Sequence, residues 1–182
     1  MPSNWLKARV QAGILGEYPV EVSYNQVDKA VFHPIESDFR KKYGLEQKKI
    51  LLGVANIWDK RKGLEDFLEL APMLDESYRI VLVGLTEKQI QSLSESILGL
   101  PRTDNIRQLA EIYTAADLYV CTSVDETFGM TVLEALYCGT PSLVYEGTAC
   151  QEVTELYSGR AVPRGAKNLY QEITRYFQEK RI

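Results

Sequence analysis

The sequence is poor in the residues that build metal sites and disulfide frames. It holds three cysteines, Cys121, Cys138 and Cys150, and one histidine, His33, with no C-x-x-C pair and no histidine cluster. An odd set of scattered thiols suits a reducing compartment and excludes a disulfide scaffold or a structural zinc site, so all three read as packing residues. A lone histidine before Pro34 reads as structural and is assigned no chemistry. Long apolar runs are missing too. None approaches the roughly 20 residues that a membrane-crossing helix needs, and MPSNWLKARV lacks the apolar core of a signal peptide. A cytosolic domain is expected.

Positive charge is also scarce. With 21 Lys and Arg against 25 Asp and Glu, the net charge of -4 argues against a surface made to hold nucleic acid, and no RNA or DNA motif occurs. No G-x-G-x-x-G turn follows a strand and no G-K-[ST] is present, which removes the usual NAD-binding turn and the P-loop. There is no internal repeat of fixed period and no low-complexity tract.

What remains is a chain of 182 residues, 45% hydrophobic, with 12 Gly and 7 Pro, enough for one globular domain or a little more. Continuous apolar runs of strand length, KKILLGVA (48–55) and YRIVLVGL (78–85), flank a stretch in which Leu64, Phe67, Leu68, Ala71 and Leu74 share one helical face. That is a βαβ unit. The pattern continues with a polar helix near 87–94, a strand at ILGLP, a helix over 105–115 with Asp104 as its N-cap, strands at LYVCTS and PSLVY, and a last helix over about 166–180. The fold class expected is α/β, a Rossmann-like parallel sheet flanked by helices. The first 35 residues differ: WLKARVQAGI reads as a short helix and PVEVSYN as a strand, a junction segment before a domain spanning 36–182.

In an open parallel sheet, ligands bind beyond the carboxyl ends of the strands, so the loops there carry the candidate chemistry. NIWDKRKG delivers Arg61 and Lys62 to a helix start, where free N–H groups and the positive dipole end make a diphosphate site; a solvated basic turn is the plainer alternative. LPRTDN offers Arg102 and Thr103 to a pocket, although a polar loop ending in a cap needs no function. TSVDETFG leads through Gly129 into a helix that carries Glu134 among Leu133, Ala135 and Leu136. Helical side chains lean toward the N-terminus, which directs Glu134 back toward the turn holding Glu126 and Gly129. A buried carboxylate without partners would cost several kcal/mol, so Glu134 is expected to meet hydroxyls, amides or a cation.

The segment ADLYVCTSVDETFGMTVLEALYCGTPSLVY resembles the signature of retaining glycosyltransferases of the family-4 type, with Glu126, Phe128, Gly129, Glu134, Gly139 and Pro141 at its marker positions. YNQVDKAVFHP is similar to the family's N-G-V-D junction, WDKRKGLEDF to its basic K-G helix start, and TDNIRQLAEIYTAAD to the stretch before the signature. The likeness runs through nearly the whole chain in order. It implies the C-terminal, donor-binding half of a two-domain GT-B enzyme, with the N-terminal acceptor domain outside the chain and little activity for this half alone.

The resemblance further implies that Arg61 and Lys62 neutralise the donor diphosphate, helped by the turn Phe128–Gly129 and the backbone of Met130 and Thr131. Glu134 would accept from the ribose hydroxyls, Thr103 would lie near the base, and Glu126 would be the catalytic residue beside the transferred sugar. No metal and no cofactor are implied, the substrate being a nucleoside-diphosphate sugar. The product would be a saccharide or glycolipid of bacterial-type polysaccharide synthesis, compatible with a full enzyme peripheral at the membrane. Two positions depart from the pattern: Asn56 stands where many relatives place an Arg, and Gln26 replaces the junction Gly. A non-catalytic binding module or a sugar-nucleotide epimerase of GT-B form are the alternative readings.

Overall fold

The computed structural model describes residues 1–157 and 159–180. Its centre is a parallel sheet of β1 (Lys49–Val54), β2 (Tyr78–Val83), β3 (Ile97–Leu100), β4 (Leu118–Cys121), β5 (Ser142–Tyr145) and β6 (Arg160–Val162). The strands lie in the order β3-β2-β1-β4-β5-β6, every neighbouring pair parallel. This is the Rossmann-like sheet expected from the alternating runs. Strand order reverses between β1 and β4, and such a switch point opens a crevice at the carboxyl ends of the two strands.

Strand side chains alternate between two apolar layers. Ile50 and Leu52 of β1, Val81 and Val83 of β2, Tyr119 of β4 and Val144 of β5 enter one cluster. There they meet α5 (Ile106–Ala115), α6 (Met130–Tyr137) and α7 (Ala149–Glu155). Leu51, Ile80, Leu82, Leu118, Val120 and Leu143 enter the other, against α3 (Leu64–Leu70) and α8 (Ala166–Glu179). Burial on both faces is why these strands read as continuous apolar runs. At Gly53 an added Cβ would lie 2.7 Å from the Phe67 ring, so the residue is glycine because α3 packs directly on β1 there.

Several expectations change in detail. PVEVSYN forms no strand. Val20 and Val22 are half-buried, and its backbone reaches the chain start through Ser23 N–H donating to Met1 O at 2.9 Å rather than a sheet edge. The segment 1–35 is therefore α1 (Asn4–Gln11) followed by irregular chain, and Val27 and Phe32 bury into the core of the sheet. The N-cap of α5 is Asn105, not Asp104: Asn105 Oδ1 accepts from Gln108 N–H at 2.9 Å while Gln108 Oε1 accepts from Asp104 N–H at 3.0 Å. A short helix α2 (Phe39–Lys42), α4 (Glu87–Gln91), α7 and β6 complete the layout.

Asp117, at the start of the signature segment, is structural. Its Oδ2 accepts from Arg40 at 2.6 Å and from Ile50 N–H at 2.7 Å, and Arg40 also donates to Ala115 O and Lys48 O. One ion pair thus ties the entry to β1 and the entry to β4 together, fixing the two strands that bound the switch point.

Candidate functional site

The loop after β1 is held down at both ends. Trp58 donates its indole N–H to Val83 O at 2.9 Å and stands edge-on to Phe67 at 5.7 Å. Asp59 then accepts from the N–H groups of Arg61 and Lys62 at 2.9 and 3.2 Å. From β4, Thr122 Oγ1 donates to the Lys62 and Gly63 carbonyls at 2.7 and 3.0 Å, and Val124 N–H donates to Arg61 O at 2.8 Å. Gly63 has φ 68°, and a Cβ there would sit 2.5 Å from Thr122 O, so only glycine lets the two loops close. This stitching carries Lys62 across to the loop after β4, where its Nζ pairs with Glu126 Oε1, both side chains largely screened from water.

Glu126 is followed by the turn into α6. Gly129 has φ 96°, and a Cβ on it would meet Cys150 Sγ at 2.7 Å. No side chain caps this helix. Val132 N–H turns back to Gly129 O at 3.1 Å, and the N–H groups of Met130 and Thr131 are the first-turn donors that an acidic ligand at the dipole's positive end could take.

From its first and second turns, α6 presents Thr131 and Glu134 to a cleft of ≈ 420 Å³ whose wall also includes Asn56, Gly84, Arg102 and Thr103. Glu134 Oε2 accepts from the Tyr113 hydroxyl at 2.9 Å, and Thr131 Oγ1 accepts from the Tyr119 hydroxyl at 2.8 Å. Burial pushes the Glu134 carboxyl up from its ordinary range, and the Tyr113 hydrogen bond pulls the other way. Burial likewise pushes both tyrosines well up, so they remain neutral donors.

The structure brings Thr103, Thr131 and Glu134 into one cleft, and Lys62 into a crevice beside it that shares Val54 and Ala55. Glu126 and Glu134 do not converge on a common partner: the first takes Lys62 and the second Tyr113. Arg61 turns away to Asp59, at 2.9 Å, with 68% of its side chain exposed, because the Asp59 carboxylate that caps the loop attracts it. Arg102 lines the cleft and Lys62 the crevice, while Arg61 still feels the charges of Asp125 and Glu126. Phe128 is also not a cleft residue; it is 4% exposed and packs in the core, its ring 6.1 Å from Tyr24. Met130 is half-buried and packs on the same core.

Tyr113, Tyr119 and Thr122 escaped the sequence reading. Tyr113 sits on the apolar face of α5 and Tyr119 inside an apolar strand, so both read as core. The usable signal was chemical: a tyrosine hydroxyl in a core needs a partner, and polar α6 residues were the ones in reach.

A family model for glycosyl transferases group 1 matches residues 35–181. Among curated proteins, the alpha-galactosylglucosyldiacylglycerol synthase of Streptococcus pneumoniae is 28% identical over 95% of this chain and 54% of its own length. Among solved structures, the sucrose-phosphate synthase of Thermosynechococcus elongatus superposes with a TM-score of 0.84 at 22% identity, covering 98% of this chain and 48% of that one. The Anabaena protein HepE in complex with UDP-glucose superposes with a TM-score of 0.75 at 20% identity, covering 88% of this chain and 48% of that one. The chain spans about half the length of these proteins.

Proposed function

The chain belongs to the glycosyl transferases group 1 family, and from that premise we propose that it is the donor-binding half of a retaining, metal-independent glycosyltransferase. The observation that carries the reading is the Lys62–Glu126 pair lying beside the open N-terminus of α6, next to the cleft that holds Glu134. A cation and free N–H groups suit a diphosphate, and an acceptor-only carboxylate a short distance along the same helix suits a ribose diol.

In this reading Lys62 and the first-turn N–H groups of α6 take the diphosphate, Glu134 the ribose, and the Thr103 loop the base. Glu126 then stands by the transferred sugar, where its negative charge stabilises the positive charge that grows on the sugar carbon as the bond to the diphosphate breaks. Lys62 neutralises the leaving diphosphate, which is the work a divalent ion would do in other sites. The ligand class is a nucleoside-diphosphate sugar such as the UDP-glucose bound by HepE. We take the acceptor, a saccharide or glycolipid, to be held by a companion domain outside these 182 residues, with the reaction in the cytoplasm and the whole enzyme peripheral at a membrane. Among the described residues no helix is long and apolar enough to cross a membrane.

The test is calorimetric titration of the chain with UDP, GDP and ADP. At least one should bind weakly, and Glu134→Gln should reduce that affinity by about tenfold, the loss of a charged hydrogen-bond acceptor. Absence of heat from all three at millimolar concentration would defeat the proposal.

A further inference from the structure

The two side chains that α6 turns to the cleft are each held from behind by a buried tyrosine of a different element. Tyr113 of α5 donates to Glu134 Oε2 at 2.9 Å, and Tyr119 of β4 donates to Thr131 Oγ1 at 2.8 Å. Both tyrosines are essentially fully buried, and their rings meet edge-on at 5.7 Å, so each ring limits the swing of the other. Resting on the donor-site reading, we infer that Tyr113 and Tyr119 are positioning residues for the cleft: Tyr113 holds Glu134 by Oε2 so that Oε1 is presented as the acceptor, and Tyr119 engages Thr131 Oγ1 from behind so that its O–H is presented as a donor.

A hydroxyl that accepts one proton still has its own to give. The Tyr119 hydroxyl lies 2.8 Å from Thr131 Oγ1 and 3.5 Å from Val54 O; with its one proton on the nearer acceptor, the threonine O–H is free to point into the cleft as a donor. That polarity fits an anionic phosphate oxygen, and the N-terminal turn of α6 favours the same charge. One helical turn on, Tyr113 occupies Oε2 of Glu134 and leaves Oε1 as an acceptor, the polarity that fits a ribose hydroxyl. Residues three apart on a helix lie about 5–6 Å from each other. A ribonucleoside diphosphate carries its diol and its first phosphate on one sugar, at a separation that such a donor-and-acceptor pair can span. The groups facing Glu134 are Tyr113 from α5, Tyr119 from β4 and Cys138 at the end of α6. Arg102 and Asp104 of the loop after β3 line the same cleft.

The experiment titrates the chain with UDP, GDP and ADP and with their 2′,3′-dideoxy counterparts, over acidic to neutral pH, in the wild type, Tyr113→Phe and Tyr119→Phe. Tyr113→Phe should weaken the ribonucleotide about threefold to tenfold, one hydrogen bond's worth, and leave the dideoxy form unchanged. It should also move the acid limb of ribonucleotide binding to higher pH, since the bond that holds the Glu134 carboxyl down is gone; the probe's own titration is common to both proteins. Tyr119→Phe should weaken ribose and dideoxy diphosphates alike by a similar factor, with no further loss in a Thr131→Val background.

Equal losses on both sugars for Tyr113→Phe, an unmoved acid limb, or additive losses for Tyr119→Phe with Thr131→Val would show general loosening and overturn the inference. Should a Phe variant fail to fold, Glu134→Gln decides the acceptor arm, since it keeps an acceptor for Tyr113 but turns an amide donor to the ribose. A loss confined to the ribonucleotide supports the assignment, and an equal loss on both sugars refutes it. Failure of the wild type to bind any of the three ribonucleotides would bring down the donor-site reading itself.

Discussion

Glu134 shows at the scale of one residue how a binding group works against the fold that holds it. Its carboxyl is pushed up mainly by burial, with the Tyr113 hydroxyl as its compensating partner. A folded-state value raised above the unfolded one means stability that is present at low pH and lost as pH rises through the raised range. At neutral pH the ionised group therefore weakens the free protein. Glu134→Gln, which preserves an acceptor for Tyr113, should raise Tm at pH 7 by a few degrees, on the scale where about 1 kcal/mol moves a chain of this size by ~2–4 °C. The gain should fade at acid pH as the native carboxyl protonates. Thermal unfolding across pH checks this, and a variant less stable than wild type at pH 7 would contradict it. The same substitution weakens nucleotide binding, so stability and ligand affinity should move in opposite directions. Glu134 was legible in the sequence because a carboxylate among Leu133, Ala135 and Leu136 demands a partner. Which of the adjacent Lys60, Arg61 and Lys62 pairs with Glu126 was not legible, because only the backbone path through Asp59 and Gly63 decides it: Lys62 crosses over, while Arg61 pairs with Asp59.

Between elements, the least expected contact is the docking of α1 on α7. Glu152 of α7 accepts from the N–H groups of Asn4 and Trp5 at 2.9 and 3.0 Å, from the Asn4 side chain at 2.8 Å and from the Tyr24 hydroxyl at 2.7 Å. A carboxylate from one helix thus satisfies the first turn of another, the place where backbone donors lack partners. Burial pushes the Glu152 carboxyl up, but the hydrogen bonds from Tyr24, Asn4 and Trp5 outweigh it and hold the group below its ordinary range. A depressed folded value gives stability that is present above the unfolded value and lost as pH falls. Glu152→Ala should release the segment 1–24, seen as faster amide exchange there with the sheet unaffected, and acidification of the wild type should do the same. Exchange in 1–24 that stays as slow as in wild type would show that two other bonds suffice, the Trp5 indole N–H to Gly147 O and the Ser3 hydroxyl to Thr127 O, each at 2.7 Å. Elements with period and length were readable: β1, β2, α3, α5 and α6 follow from continuous runs or a helical stripe. The docking was not, because one Glu in the polar pattern of α7 gives no sign of a partner about 148 residues earlier, and β6 at three residues is too short to carry a period.

At the scale of the whole molecule, strand order decides where function sits. Only the reversal between β1 and β4 brings the loop holding Lys62 beside the loop holding Glu126, and that order is visible in the sheet itself, since apolar runs along a chain announce strands without saying which of them are neighbours. The order also limits what the chain can do. The Lys62–Glu126 pair and the cleft at Glu134 lie on one rim of a sheet. Transfer requires an acceptor hydroxyl held in line with the sugar carbon and water kept away, which positioning and closure supply. A rim open on one side supplies neither. The chain should therefore bind a nucleoside diphosphate, raising its Tm in proportion to the logarithm of ligand concentration, while releasing no diphosphate from a nucleotide sugar above the uncatalysed rate. Thermal shift and a coupled diphosphate assay on the same sample read both at once. Binding with no turnover is the expected pair of results; turnover by the chain alone would mean that the site is complete without a second domain.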